Sequence, residues 1–140
     1  MVLTLESDYA LRIIYDLSQT GEKADAATLS ERIGVSLRFT LKILRKLKLA
    51  GILTSLKGAH GGYRLVGTPE EISLYDVVAA IEGEIPIARC NTDGYVCSHP
   101  GTQQGLPCPL RHIFIDLAEE IKERLSAVTF ADLLSGKAQF

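Results

Sequence analysis

The sequence predicts an α+β chain, mainly α-helical with one small β-hairpin, and three observations carry that expectation. In the first fifty residues, side chains suited to capping precede apolar positions spaced three and four apart. Two short extended runs then flank a glycine-rich tip. Late in the chain a long apolar stripe recurs at helical spacing. With 140 residues, 46% of them hydrophobic and 23% charged, the chain can bury one core and not two. One globular unit with an appendage is therefore expected.

Thr4 is placed to cap a first helix over residues 5 to about 19, with Leu11, Ile14 and Leu17 on one face and Gly21 closing it. Asp25 caps a short second helix that runs through Ile33. Gly34 permits a tight turn, and Ser36 caps a third helix over residues 37 to about 50. On it Leu37, Leu41, Leu44 and Leu47 form the expected buried stripe, while Arg38, Lys42 and Arg45 recur on another face. Helix, three-residue turn and helix is the spacing of a helix-turn-helix. The runs at 52–56 and 62–66, joined across 57–61, read as a hairpin placed directly after the third helix, which makes it a wing. Beyond Pro69, Ser73 and Asp76 form an acidic capping box ahead of Leu74, Val77, Val78 and Ile81, and Gly83 ends that helix. Residues 84–107 show no periodicity and are rich in Gly, Pro and polar side chains; a loop of that length is expected to be pinned or functional. Pro109 opens a long helix whose stripe is Leu110, Ile113, Phe114, Leu117, Ile121 and Leu125, suited to pairing with a second copy about a two-fold axis. Thr129 with Asp132 caps a last short helix. The expected organisation is a winged helix-turn-helix unit over 1–83, a cysteine-bearing loop over 84–107, and a dimerisation helix with its tail over 108–140.

The formal net charge of −2 conceals a strong asymmetry. Residues 32–69 carry eight Lys and Arg and no Asp or Glu, whereas the remainder of the chain carries 7 basic and 17 acidic residues. A one-signed block on a helix and the hairpin after it attracts a polyanion, and double-stranded DNA is the partner it fits. Arg38, Lys42 and Arg45 can address phosphates or guanine edges in the major groove, with Thr40 a weaker candidate. Lys57, His60 and Arg64 on the wing can reach the backbone or the minor groove, although His60 reads equally well as a solvated tip. No apolar run reaches the roughly 18 residues of a membrane span, and the N-terminus lacks the basic start and cleavage site of a secretory signal, so a cytoplasmic protein with no membrane contact is expected. An enzyme is not expected. Cys97 with His99, or Cys108 with His112, could be drawn as a thiol and its base, but there is no phosphate loop, dinucleotide fingerprint or paired catalytic carboxylate.

Cys90, Cys97 and Cys108 are an odd number gathered in one segment, a poor disulfide framework and a better basis for metal or redox chemistry. Three readings stand. Soft thiolates on flexible backbone suit an iron–sulfur cluster. The same thiolates with His99 or His112 would suit structural zinc. The third reading is three unrelated thiols.

Taken in order, the residues at 9–12 (YALR), the turn at 30–36 (SERIGVS), the wing at 58–65 (GAHGGYRL) and the helix at 74–83 (LYDVVAAIEG) resemble those of the Rrf2 family of bacterial winged-helix regulators, which has IscR, NsrR and RirA types. The resemblance covers nearly the whole chain. It implies a homodimeric transcription regulator that binds an inverted-repeat operator. It further implies that Cys90, Cys97 and Cys108 hold an iron–sulfur cluster, 2Fe–2S or 4Fe–4S, through which redox state, nitric oxide or iron–sulfur supply controls operator affinity. Six residues separate Cys90 from Cys97 and ten separate Cys97 from Cys108, wider than in the resembling cluster-binding members, so cluster type stays open. For the fourth ligand, Asp8 matches the position from which NsrR-type members supply a carboxylate across the dimer, and His112, four residues after Cys108, is the alternative. Asp8 reads equally as a first-turn acid paired with Arg12. The resemblance also admits a cluster-free or zinc-stabilised regulator controlled by a protein partner or a small molecule.

Overall fold

A computed structural model of the chain describes residues 3–99 and 108–137. Along it run α1 (Leu5–Thr20), α2 (Ala26–Ile33), α3 (Leu37–Leu49), β1 (Leu53–Leu56), β2 (Gly62–Leu65), α4 (Leu74–Glu82), α5 (Pro109–Ser126) and α6 (Phe130–Ser135), with a single 3₁₀ turn at Arg89–Asn91. The fold is mainly helical with one antiparallel hairpin, as the sequence predicts. Local chemistry sets the helix starts. Thr4, Asp25 and Ser36 each accept from a backbone N–H three residues on, and Ser73 with Asp76 and Thr129 with Asp132 form complete capping boxes. Each such cap is worth about 1 kcal/mol. Gly34 ends α2 with φ +74°, the left-handed conformation that lets α3 turn back across it.

The core is built by α1, α3 and α4, with Leu29 from α2, Leu53 from β1 and Phe130 from α6. Ala10, Ile13, Ile14 and Leu17 face inward from α1, and Val77, Val78 and Ile81 from α4. On α3 the expected stripe is displaced. Thr40, Ile43, Leu44 and Leu47 are buried, whereas Leu37 and Leu41 stay 46% and 44% exposed. Burying Thr40 in place of a leucine costs little, because its hydroxyl donates to the Ser36 carbonyl at 3.0 Å and enters the core satisfied.

The wing pairs Leu53 with Leu65 through Leu56 with Gly62. A bridge between Ala24 and Tyr63 adds a rung from the loop after α1, with both backbone hydrogen bonds made, at 3.0 and 2.8 Å. Gly62 is required there. Its φ is +144°, and a Cβ would stand 2.8 Å from the Ala24 carbonyl oxygen. Lys23 Nζ donates to the His60 carbonyl, so the tip is held as well as the base.

None of the 18 residues of α5 is buried. It rests on α4 and the 3₁₀ turn with Ile115, Ala118 and Lys122 near Tyr75, and leaves Leu110, Ile113 and Leu117 exposed. After α5 the chain returns to the first unit: Leu74 N donates to Val128 O, Phe130 N donates to Ile72 O, and the Phe130 ring is fully buried. No described helix is long and apolar enough to cross a membrane. The loop stretch 100–107 and the last three residues, 138–140, lie outside the described residues.

Candidate nucleic-acid interface and cysteine loop

The Ser36 cap and the buried row of Thr40, Ile43, Leu44 and Leu47 fix which face of α3 points outward. Arg38, Lys42 and Arg45 stand exposed on it, and the wing carries Lys57, His60 and Arg64, also exposed. Lys48 Nζ donates to Ser55 Oγ at 2.7 Å, which ties the end of α3 to β1 and keeps helix and wing as one surface. Among the described residues Arg38, Arg45, Lys57 and Arg64 make no ion pair, so their charge is offered outward. Thr40 is the exception among the sequence candidates. It is fully buried with its hydroxyl engaged, and so is not available to a nucleic acid.

Lys42 is held differently. Its ammonium lies 3.3 Å from Glu6 Oε2 at the start of α1, and Lys46 Nζ lies 2.9 Å from Glu6 Oε1. Burial alone would raise the Glu6 carboxyl, but hydrogen bonds and attraction from Lys46 and Lys42 outweigh it and hold the group below its ordinary value. One residue on, Ser7 Oγ donates to Glu82 Oε1 at 2.5 Å, and the Thr4 N–H and hydroxyl donate to the same oxygen at 3.0 Å. Burial again works to raise Glu82, and the bonds from Ser7 and Thr4 prevail and lower it. The last turn of α4, where the cysteine loop begins, is thereby bonded to the first turn of α1, and that turn to α3. Nothing in the sequence points to this network beyond acids in the right turns, because its partners are up to 78 residues apart.

Cys90 sits half-buried in the 3₁₀ turn, its thiol donating to Asn91 Oδ1 at 3.5 Å. That turn packs beside Ile115, Ala118 and Glu119 in the middle of α5. Cys108, also half-buried, is the N-cap of α5. The seven residue steps from Cys108 to Ile115 amount to roughly 10 Å of helix rise. Cys97 is half-buried, and none of the three is in a disulfide. Among the described residues no three of His, Cys, Asp and Glu are gathered closely enough to hold a metal ion. The donor chemistry nevertheless suits an iron–sulfur cluster: three thiols uncommitted to disulfides on backbone that is mostly irregular.

Of the two fourth-ligand candidates, His112 lies one turn above Cys108, its N–H donating to the Cys108 carbonyl at 3.2 Å, with the side chain exposed. Asp8 pairs with Arg12 at 2.9 Å, as a first-turn acid would. Its groove is lined by Leu11, Arg32, Leu74, Phe130 and Leu133, and no cysteine of the same chain borders it.

The model of the Rrf2 family, described as an iron-dependent transcriptional regulator, matches residues 3–136. The protein rrf2 of Nitratidesulfovibrio vulgaris is 32% identical over 136 residues, covering 96% of this chain and 87% of that one. The transcriptional regulator IscR of Vibrio vulnificus is 31% identical over 137 residues, covering 96% of this chain and 78% of that one. Among solved structures, the global cysteine regulator CymR of B. subtilis superposes with a TM-score of 0.74 at 22% identity, over 96% of this chain and 97% of that chain.

Proposed function

The chain belongs to the Rrf2 family of transcription regulators, and from that premise we propose a cytoplasmic homodimer whose hold on an inverted-repeat operator is set by an iron–sulfur cluster on Cys90, Cys97 and Cys108. It is a regulator and not an enzyme. The observation that carries the DNA reading is the outward pair Arg38 and Arg45 on α3, without acidic partners among the described residues and continuous with the wing. In this reading α3 enters the major groove, Arg38, Lys42 and Arg45 meet base edges and phosphates, and Lys57, His60 and Arg64 meet the flanking backbone or minor groove. The unburied stripe of α5 meets its copy across a two-fold axis, which spaces the two α3 helices for two half-sites.

Asp8, offered by the partner subunit, would complete the ligand set in preference to His112; that no cysteine of its own chain borders its groove agrees with a ligand supplied across the dimer. When bound, such a cluster supplies an iron centre sensitive to oxidation, nitric oxide or iron supply. The chain's own route to DNA is Glu82, Thr4, Ser7, Glu6 and then Lys42: a shift of the loop that leaves α4 alters a turn bonded directly to the DNA-facing helix.

A second reading has an observation of its own in favour. Cys90 and Cys108 stand at different stations along α5. That arrangement also suits a cluster-free regulator controlled by a protein or a small molecule, or one in which zinc is held with His99 or His112. Absorbance of anaerobically purified protein with iron and sulfide analysis separates these readings. A coloured protein is expected, with the visible spectrum changed in Asp8→Ala and unchanged in His112→Ala. Colourless protein that contains zinc or no metal favours the second reading, and the reverse pattern in the two variants moves the fourth ligand to His112.

A further inference from the structure

Leu37 and Leu41 are the two apolar side chains that the helical pattern of α3 would bury and the fold does not. They lie one turn apart, in the same row as Arg45, and beside the row formed by Arg38 and Lys42. A shallow groove on this face is lined by Ser36, Arg38, Phe39, Leu41, Lys42 and Arg45. Such leucines ordinarily seek an apolar partner. Here the surrounding cations belong to a 38-residue window, 32–69, without an acidic residue. A protein partner approaching this face would have to be strongly acidic around an apolar centre. Duplex DNA meets both requirements: phosphates line the groove edges, and on its floor the one apolar group presented by a base is the C5-methyl of thymine.

We propose that Leu37 and Leu41 are specificity-determining residues that read thymine methyl groups in the major groove, while Arg38 and Arg45 supply the polar and phosphate contacts around them. The proposal rests on the reading of α3 as the helix that enters DNA, and deepens it by naming what part of the sequence is read without hydrogen bonds. Leu41 borders the groove and is the principal reader; Leu37, one turn nearer the N-terminus, meets the neighbouring base step.

The test begins with duplexes selected by the wild-type protein from a random pool, after which each thymine of the selected operator is replaced singly by deoxyuridine. That exchange removes one methyl and no hydrogen-bonding group. The expected result is a loss of about fourfold in affinity at one or two thymines per half-site, the worth of one buried methyl. In Leu41→Ala, whose side chain leaves no core cavity, the loss at one of those positions should disappear, and Leu37→Ala should remove the other. A selected operator insensitive to every deoxyuridine exchange overturns the proposal while leaving α3 as the DNA helix. So does a Leu41→Ala protein that keeps full sensitivity but changes its oligomeric state in sedimentation, which would assign the leucines to a contact between copies. Failure of the wild type to select any sequence over unrelated DNA overturns the underlying reading and the proposal with it.

Discussion

Arg38 and Lys57 are both exposed cations outside any ion pair among the described residues, yet they stand in different places: one on the outward face of α3, the other at the tip of the wing. Arg38→Ala should therefore reduce discrimination between operator and unrelated DNA by about tenfold or more, whereas Lys57→Ala should weaken both equally and lower the salt dependence by about one phosphate. Fluorescence anisotropy with the two duplexes at several salt concentrations distinguishes the two outcomes. Their exposure was legible because long cations on an outward helical row, or at a glycine-rich hairpin tip, need little tertiary context. Thr40, Leu37 and Leu41 were not legible, since which of two adjacent rows turns inward is decided by the packing of α3 against α1 and α4, together with a hydroxyl that satisfies itself. Glu6 and Glu82 were invisible in function for a related reason: only the fold reveals their partners. Both carboxyls lie below their ordinary value of 4.5, with burial raising each and the bonds from Lys46 and Lys42, or from Ser7 and Thr4, prevailing. A depressed carboxylate contributes stability that is full above its unfolded pKa and is lost as pH falls through the folded one. Thermal stability should accordingly fall as pH drops below about 4.5, and Glu6→Gln should show a shallower acid loss than wild type; an identical acid profile for that variant would count against the Glu6 pairing.

Elements bounded by their own side chains were read well. Ser73 with Asp76 and Thr129 with Asp132 are local signals, and the helices they open begin where the sequence places them. The last helix carried less information about its destination: Phe130 is apolar in any reading, and only the backbone pairing beside Ile72 and Val128 shows that it completes the first unit's core. For α5 the expectation is sharper. A helix of 18 residues with none buried, and with Leu110, Ile113 and Leu117 at 68%, 58% and 40% exposure, offers the apolar stripe that the proposed dimer would cover. Leu117→Asp or Ile121→Asp places a charge in the proposed seam and should raise the dimer dissociation constant by about 100-fold or more. Sedimentation equilibrium reads this directly, and a wild type that is monomeric at micromolar concentration would remove α5 as the dimer helix.

At the scale of the molecule, the partition of charge is the feature that composition alone discloses, with the basic block falling on α3 and the wing and the acidic excess elsewhere. What composition cannot disclose is how the end of α4 is joined to that block. The bonded path from Glu82 through the first turn of α1 to Lys42 is a property of the packed chain, and in the function proposed above it would join the cysteine loop and the DNA face in one equilibrium. Coupling of this kind is commonly worth about 5- to 150-fold in affinity. The most direct test of the account titrates a selected operator with anaerobically purified wild type and with a variant in which Cys90, Cys97 and Cys108 are all replaced by Ala, in one buffer and with iron and sulfide measured on both. Wild type should contain iron and sulfide and the variant neither, and their operator affinities should differ at least about fivefold, while both remain folded dimers and retain the steep salt dependence of phosphate contacts. Wild-type protein without iron or sulfide that binds the operator as tightly as the cysteine-free variant would contradict it.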